Sequence, residues 1–298
     1  MITIENLTKK YGDFTAIEHI SCTIKEGSIY GLVGYNGAGK TTLIKTIAGI
    51  YRPEKGRVLA DGKDIYDNEE YRSRLFIIPD EPYFIPQASL DSMRWFYKGY
   101  YPGWNDHTYK KLAEIFRLDT KAKIDGFSKG MQRQASILLA LSTLPKYLLL
   151  DESFDGLDLS KRNLLKKLLR KYAEVKKAIV LISSHNLREL EGIVDNIGII
   201  RDKVLSFDSP VSDINEKCGK YRVEFDGEFS GDDLKGIGIR SLQADGNIFT
   251  FIADGRRGEI EERIRKFKPK SVEVLPVTLE EFFIEEREEQ EYDFSTIF

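Results

Sequence analysis

Apolar and polar positions alternate from the start of the chain. Ile2, Ile4 and Leu7, then Ala16 to Ile24, predict two strands, and the denser apolar run from Ser28 to Val33 predicts a third. Glycines stop that run and a helix is expected to open at Gly39, which gives the unit strand, glycine loop, helix. Asp61-Gly62 predicts a turn after a strand at Arg57–Ala60. The polar stretch 68–74 predicts a helix, and Leu75 to Ile78 a short buried strand ended by Pro79. From Ser89 to Leu144 the spacing turns helical, with Leu90, Met93 and Tyr97 on one face and Leu112, Ile115 and Phe116 on another. Strands and helices then alternate through 147–150, 159–172, 178–183, 186–190 and 197–200. The pattern predicts an α/β fold: a mostly parallel sheet interrupted by a helical subdomain over about 84–144.

Near Pro210 the pattern changes. Strands are expected at 221–225, 248–252 and 272–275, and helices at 259–267 and 279–287. The chain therefore divides into a domain over 1–210 and a small α+β accessory domain over 211–298. In the tail, Leu279, Phe282 and Phe283 form an apolar stripe among glutamates, which must be covered either by the accessory strands or by a second subunit.

With 298 residues, 41% of them hydrophobic, the chain can bury such a core. Its net charge of −3 lacks the basic bias of a nucleic-acid binder, so no nucleic-acid partner is expected. The basic pairs Lys161-Arg162 and Lys166-Lys167 fall at helical spacing and read as a solvated face. Cys22 and Cys218 stand far apart, which argues against a disulfide framework and fits a reducing cytoplasm. No basic leader followed by an apolar stretch opens the sequence. The most apolar run, Ile137 to Leu150, is broken by Pro145 and Lys146 and falls short of the roughly 20 residues of a membrane-spanning helix, so any membrane role is expected to use a separate partner.

The chemistry begins at Gly34, Tyr35, Asn36, Gly37, Ala38, Gly39, Lys40 and Thr41, which match a phosphate-binding loop in full. Glycines let backbone N–H groups turn toward phosphates, and the following helix presents its positive end to the same anion. Lys40 is expected to reach the β- and γ-phosphates, and Thr41 to offer its hydroxyl to Mg²⁺, with Thr42 beside it in the nucleotide site. A second element is the apolar strand Tyr147 to Leu150 followed by Asp151 and Glu152. Acids at a strand's C-terminal end lie where open α/β sheets bind ligands. Asp151 is expected to hold Mg²⁺ through water, and Glu152 to polarise the attacking water.

Four further segments narrow the field. Phe127-Ser128-Lys129-Gly130-Met131-Gln132-Arg133-Gln134 resembles the signature motif of ATP-binding-cassette (ABC) proteins, Phe154-Asp155-Gly156-Leu157-Asp158 their D-loop, and Ser183-Ser184-His185 their switch histidine. Tyr11 stands where that family has an adenine-stacking aromatic. The resemblance covers residues 1 to about 208 and is strongest to ATPase subunits of bacterial exporters with a separate membrane subunit. It implies a P-loop NTPase of the ABC type with an inserted helical subdomain and a C-terminal accessory domain. It also implies ATP and Mg²⁺ as ligands, catalysis by Glu152, His185 and Lys40, and nucleotide contacts from Tyr11, residues 34–42, Ser128 and Gly130. The implied partners are a membrane permease and a second copy of the chain or a related ATPase, at the inner face of the cell membrane. Two departures stand out: Asp80 occupies the family's usual glutamine position, where it is expected to ligate Mg²⁺, and Lys129 and Met131 replace the commoner glycine and glutamine. A soluble cassette acting on ribosomes or DNA is the competing class, but the second cassette or long coiled coil of such proteins is not in the sequence. The aromatic-rich stretch Trp95, Tyr97, Tyr100, Tyr101 and Trp104 is expected to be mostly subdomain core, and Tyr83 and Phe84 to help receive a permease helix.

Overall fold

In the computed structural model, residues 1–226, 234 and 238–283 are described. They fall into two units that divide at Ser209–Pro210, one residue from the boundary expected from the sequence.

The first unit opens with β1 (Ile2–Tyr11), β2 (Phe14–Ile24), β3 (Ile29–Val33) and α1 (Lys40–Ile47). Next come β4 (Lys55–Ala60), β5 (Lys63–Asp64), α2 (Glu69–Ser73) and β6 (Leu75–Ile78). The helical subdomain holds α3 (Leu90–Tyr100), α4 (Asp106–Phe116) and α5 (Lys129–Ser142). The unit closes with β7 (Tyr147–Leu150), α6 (Leu159–Lys176), β8 (Ile179–Ser184), α7 (Leu187–Leu190), β9 (Asn196–Arg201) and β10 (Val204–Pro210). Two sheets result, a four-stranded one in the order β2-β1-β4-β5 and a six-stranded one in the order β10-β9-β3-β8-β7-β6. The central strands β3, β7 and β8 are buried at every position, as parallel strands covered on both faces must be. Their parallel register sets Val33 beside Ser184 and Leu150 beside Ile182, so the phosphate loop, the switch histidine and the two acids all leave the sheet at one edge.

Local signals start the subdomain helices. Ser89 and Ser92 form a reciprocal capping box on α3, Asn105 accepts from the Thr108 N–H, and Ser128 accepts from the Met131 N–H. Helix α5 is buried from Arg133 through Ser142 and forms the subdomain's centre. The aromatic stretch divides: Tyr97 and Tyr101 pack on Phe76 and Trp104 on Tyr109, whereas Trp95 and Tyr100 are 68% and 70% exposed.

The accessory unit comprises α8 (Val211–Lys217), β11 (Cys218–Glu224), β12 (Ile239–Asp245), β13 (Ile248–Asp254), α9 (Arg257–Arg265), β14 (Ser271–Leu275) and α10 (Leu279–Phe283). Its antiparallel sheet runs β12-β13-β11-β14 around a core of Tyr221, Val223, Phe249, Phe251, Ile260 and Ile264. In α10, Leu279 and Phe283 are buried, Thr278 and Glu281 form a capping box, and Glu281 pairs with Lys220 of β11 at 2.7 Å. The accessory sheet thus holds the start of this helix. The rest of the expected helix, 284–287, lies outside the described residues.

Candidate functional site

The loop between β3 and α1 turns where only glycine fits. Gly39 has φ +108°, and a Cβ there would meet Ile17 Cγ2 at 2.4 Å and the Ala16 carbonyl oxygen at 2.8 Å. A Cβ on Gly34 would meet the Ile200 carbonyl oxygen at 2.7 Å. Tyr35, Asn36 and Gly37 lie at the exposed crest, while Ala38 and Lys40 are buried. The Lys40 ammonium donates to the carbonyls of Gly34 (2.7 Å) and Tyr35 (3.2 Å) and lies 3.1 Å from Glu152 Oε1. No acid occupies the first turn of α1, so its N-terminal N–H groups present an uncompensated positive end beside the loop. Thr41 is exposed at the same end, and Thr42 Oγ1 lies 3.5 Å from the Tyr11 hydroxyl. The Tyr11 ring is 44% exposed and meets Tyr51 edge-on at 5.7 Å.

Asp151 and Glu152 follow β7 and are nearly buried, 2% and 8% exposed. Buried carboxylates require partners, and adjacent elements supply them. The Ser183 hydroxyl of β8 donates to Asp151 Oδ1 at 2.5 Å and accepts from the Glu152 N–H at 3.0 Å. Glu152 Oε1 faces Lys40, and Oε2 meets His185 Nδ1 at 2.9 Å and accepts from the His185 N–H at 3.3 Å. Burial pushes the Glu152 carboxyl up, but His185 and Lys40 outweigh it and hold it below the usual range. The hydrogen bond to Glu152 in turn raises His185 above the ordinary imidazole value. Glu152 also has φ +47°, an uncommon backbone setting for a non-glycine residue.

Of the remaining expected residues, Asp80 follows β6 at the same sheet edge, and Ser128 and Gly130 lie at the start of α5. The Asp80 side chain is 58% exposed, with Oδ1 at 3.5 Å from Arg133 Nη2. Partial burial pushes this carboxyl up and Arg133 draws it down, with Asp151, Asp155 and Glu152 adding to the upward push. Ser128 is exposed at the N-terminus of α5, and a Cβ on Gly130 would meet the Gly156 carbonyl oxygen at 2.8 Å. No hydrogen bond or ion pair among the described residues joins Ser128 or Gly130 to Lys40, Thr41 or Glu152. The structure therefore gathers Lys40, Asp151, Glu152 and His185 at one edge, while Ser128 and Gly130 make no bond to them. Sequence reasoning gave no role to Ser183 or Arg133. Ser183 left one signal, a pair of serines with Ser184 at the end of a strand otherwise apolar; Arg133 left none.

A family model described as "ABC transporter" matches residues 17–155. The chain is 27% identical to the ABC transporter ATP-binding protein YtrB of Bacillus subtilis, over 95% of this chain and 97% of that one. It is 31% identical to the bacitracin transport ATP-binding protein BcrA of Enterococcus faecalis, over 76% of this chain and 74% of that one. The chain belongs to the ABC transporter ATP-binding proteins. A solved structure of an ABC transporter's ATP-binding subunit superposes with a TM-score of 0.67 at 27% identity, covering 72% of this chain and 92% of that one. As an ABC ATP-binding subunit, the chain binds and hydrolyses ATP.

The Glu152–His185 contact gives the ABC site a measurable signature. His185 should titrate above the ordinary value of about 6.5, so its charged form persists to higher pH than that of a free imidazole. In Glu152→Gln the titration should fall back toward that value. Both shifts can be followed in the imidazole ¹³C–¹H resonances.

Proposed function

We propose that this chain is the ATPase of an ABC exporter and drives a separate membrane permease through ATP-dependent pairing with a second cassette. The observation that carries the catalytic part is Glu152, a buried carboxylate bonded to both Lys40 and His185 beside the phosphate loop. In this reading the loop N–H groups of residues 34–42 and the Lys40 ammonium bind the β- and γ-phosphates, and Tyr11 supports the adenine. Glu152 takes a proton from the attacking water, and His185 contacts the γ-phosphate and orients Glu152.

The donors fit Mg²⁺: the exposed Thr41 hydroxyl and the carboxylates of Asp151 and Asp80 are hard oxygen ligands at the same sheet edge. Ion-bound Mg²⁺ would neutralise phosphate charge. Asp151 is held in one orientation for this by Ser183. Asp80 is the less fixed donor, since it also faces Arg133.

Pairing follows from the placement of the signature residues. Ser128 and Gly130 offer a second anion site, at the N-terminus of a 14-residue helix. In this reading they close over ATP held by the other cassette, and two-fold symmetry gives two such sites.

Three observations support the permease. No helix among the described residues is long and apolar enough to cross a membrane. A groove of about 490 Å³ lies between α2 and α3, lined by Glu69, Arg72, Phe96, Tyr97, Tyr100 and Tyr101. Nearby in sequence, Tyr83 is 76% exposed in the segment that follows Asp80. An amphipathic permease helix suits such a surface, aromatic with a charged rim. The export direction is supported by the Ser-Lys-Gly signature, which resembles that of bacterial exporter ATPases.

Glu152→Gln should retain ATP and accumulate as an ATP-bound dimer while hydrolysis falls by about 10²-fold or more. Turnover at the wild-type rate would contradict the assignment. Phe96→Ala with Tyr100→Ala should leave basal ATPase activity intact but lower copurification with the permease. Undiminished complex formation would remove the groove from the account.

A further inference from the structure

Arg133 lies in α5, five residues after Ser128, yet its guanidinium serves the catalytic strands. Its side chain is 6% exposed. Nη1 donates to the Pro79 carbonyl at 2.9 Å, and Nη2 donates to the carbonyls of Asp80 at 2.5 Å and Glu152 at 3.3 Å. The Asp80 carboxylate, 58% exposed and 3.5 Å away, is a looser partner than these main-chain oxygens. Burying a guanidinium is costly unless its N–H groups are satisfied, and here the partners are the two backbone segments that carry Asp80 and Glu152.

The Glu152 peptide needs such support. Its φ of +47° disfavours a residue with a Cβ, so contacts on both sides must hold it. The N–H is fixed by Ser183 Oγ, and the carbonyl accepts from Arg133 and from the Asp155 N–H at 3.3 Å. Ser183 belongs to β8 and Asp155 to the D-loop, within the same sheet-edge assembly as Glu152. Among these contacts Arg133 reaches the catalytic peptide from the helical subdomain. A planar fork with several fixed N–H directions can hold three carbonyls at set spacing, which a single ammonium cannot.

We propose that Arg133 is a positioning residue for hydrolysis: it ties the signature helix to the backbone of Asp80 and Glu152, so that the catalytic carboxylate moves with the helical subdomain. This rests on the reading of Glu152 as the carboxylate that polarises water. The hydrogen bonds of Arg133 go to main-chain carbonyls. Its loss therefore affects the chemical step through the setting of Glu152 and leaves nucleotide affinity to the phosphate loop. A second cassette that engages Ser128 would act on the same helix five residues upstream, so signature engagement and the setting of Glu152 share one rigid element.

The test measures ATPase kinetics and nucleotide binding for Arg133→Met, Arg133→Lys and a control, Arg94→Met, which removes an ion pair with Asp106 elsewhere in the subdomain. Arg133→Met should lower kcat at least tenfold with KM and Kd for ATP changed less than threefold. Arg133→Lys should recover part of that loss, and Arg94→Met should retain the wild-type kcat. If Arg133→Met does not fold, Arg133→Lys carries the test, with an expected threefold or greater fall in kcat at unchanged ATP affinity. A wild-type kcat in the folded Arg133 variants would overturn the proposal, as would equal losses in kcat and affinity. Glu152→Gln in the same assay separates the two levels. If it still turns over, the reading of Glu152 falls and the proposal with it. If it is inactive while the Arg133 variants are fully active, only the Arg133 role falls.

Discussion

Two carboxylates buried at the end of an apolar strand have to be paired, and the arrangement of this site follows from that requirement. Asp151 and Glu152 follow β7, a strand buried at all four positions, so the chain delivers their charge where water cannot solvate it. Each carboxylate partner comes from a different place in the chain: Ser183 from β8, Lys40 from the start of α1 and His185 from the turn after β8. Satisfying two acids therefore draws the phosphate loop and the switch strand to one sheet edge, and Arg133 of α5 adds a bond to the Glu152 main-chain carbonyl. The same pairing holds Glu152 ionised, which is the form that a base needs.

Much of this could be read from the sequence because its signals are local. The phosphate loop spans eight consecutive residues, and the acids adjoin the strand that places them. Periodicity also separated the buried parallel strands from the helical insertion, since β3 and β7 read as apolar runs and β8 as an apolar run that ends in two serines. The parts that escaped have physical reasons. Strand β12 runs along a sheet edge, and residues 241–245 are exposed, so no apolar alternation marks it. In the aromatic stretch, by contrast, most side chains pack as expected, Tyr97 and Tyr101 on Phe76 and Trp104 on Tyr109, while Trp95 and Tyr100 turn outward. Arg133 reads in sequence as one more charge on a helix. Its partners Asp80 and Glu152 stand 53 and 19 residues away, and only the fold brings them together.

The departure at Asp80 acquires a structural setting in the same way. Where relatives of this family usually carry a neutral amide, this chain places an acid close to Asp151, Glu152 and Asp155. Arg133 lies 3.5 Å from that acid and so supplies opposite charge within the cluster. Arg133 offsets only part of the repulsion and burial that push the Asp80 carboxyl up, while its main-chain bonds hold the loop regardless of the Asp80 side chain.

The proposed nucleotide site has two faces on one chain: a phosphate loop with the acid Glu152, and Ser128 at the head of α5, with no bond between them among the described residues. In the proposed reading a second cassette joins them, and mixing two inactive variants tests this. Ser128→Arg disables the signature face, Lys40→Ala the phosphate face, and a mixed dimer contains one intact composite site. Each variant alone should be inactive, and mixing should restore a measurable fraction of ATPase activity. No recovery in a preparation shown by fluorescence energy transfer to contain mixed dimers would contradict it.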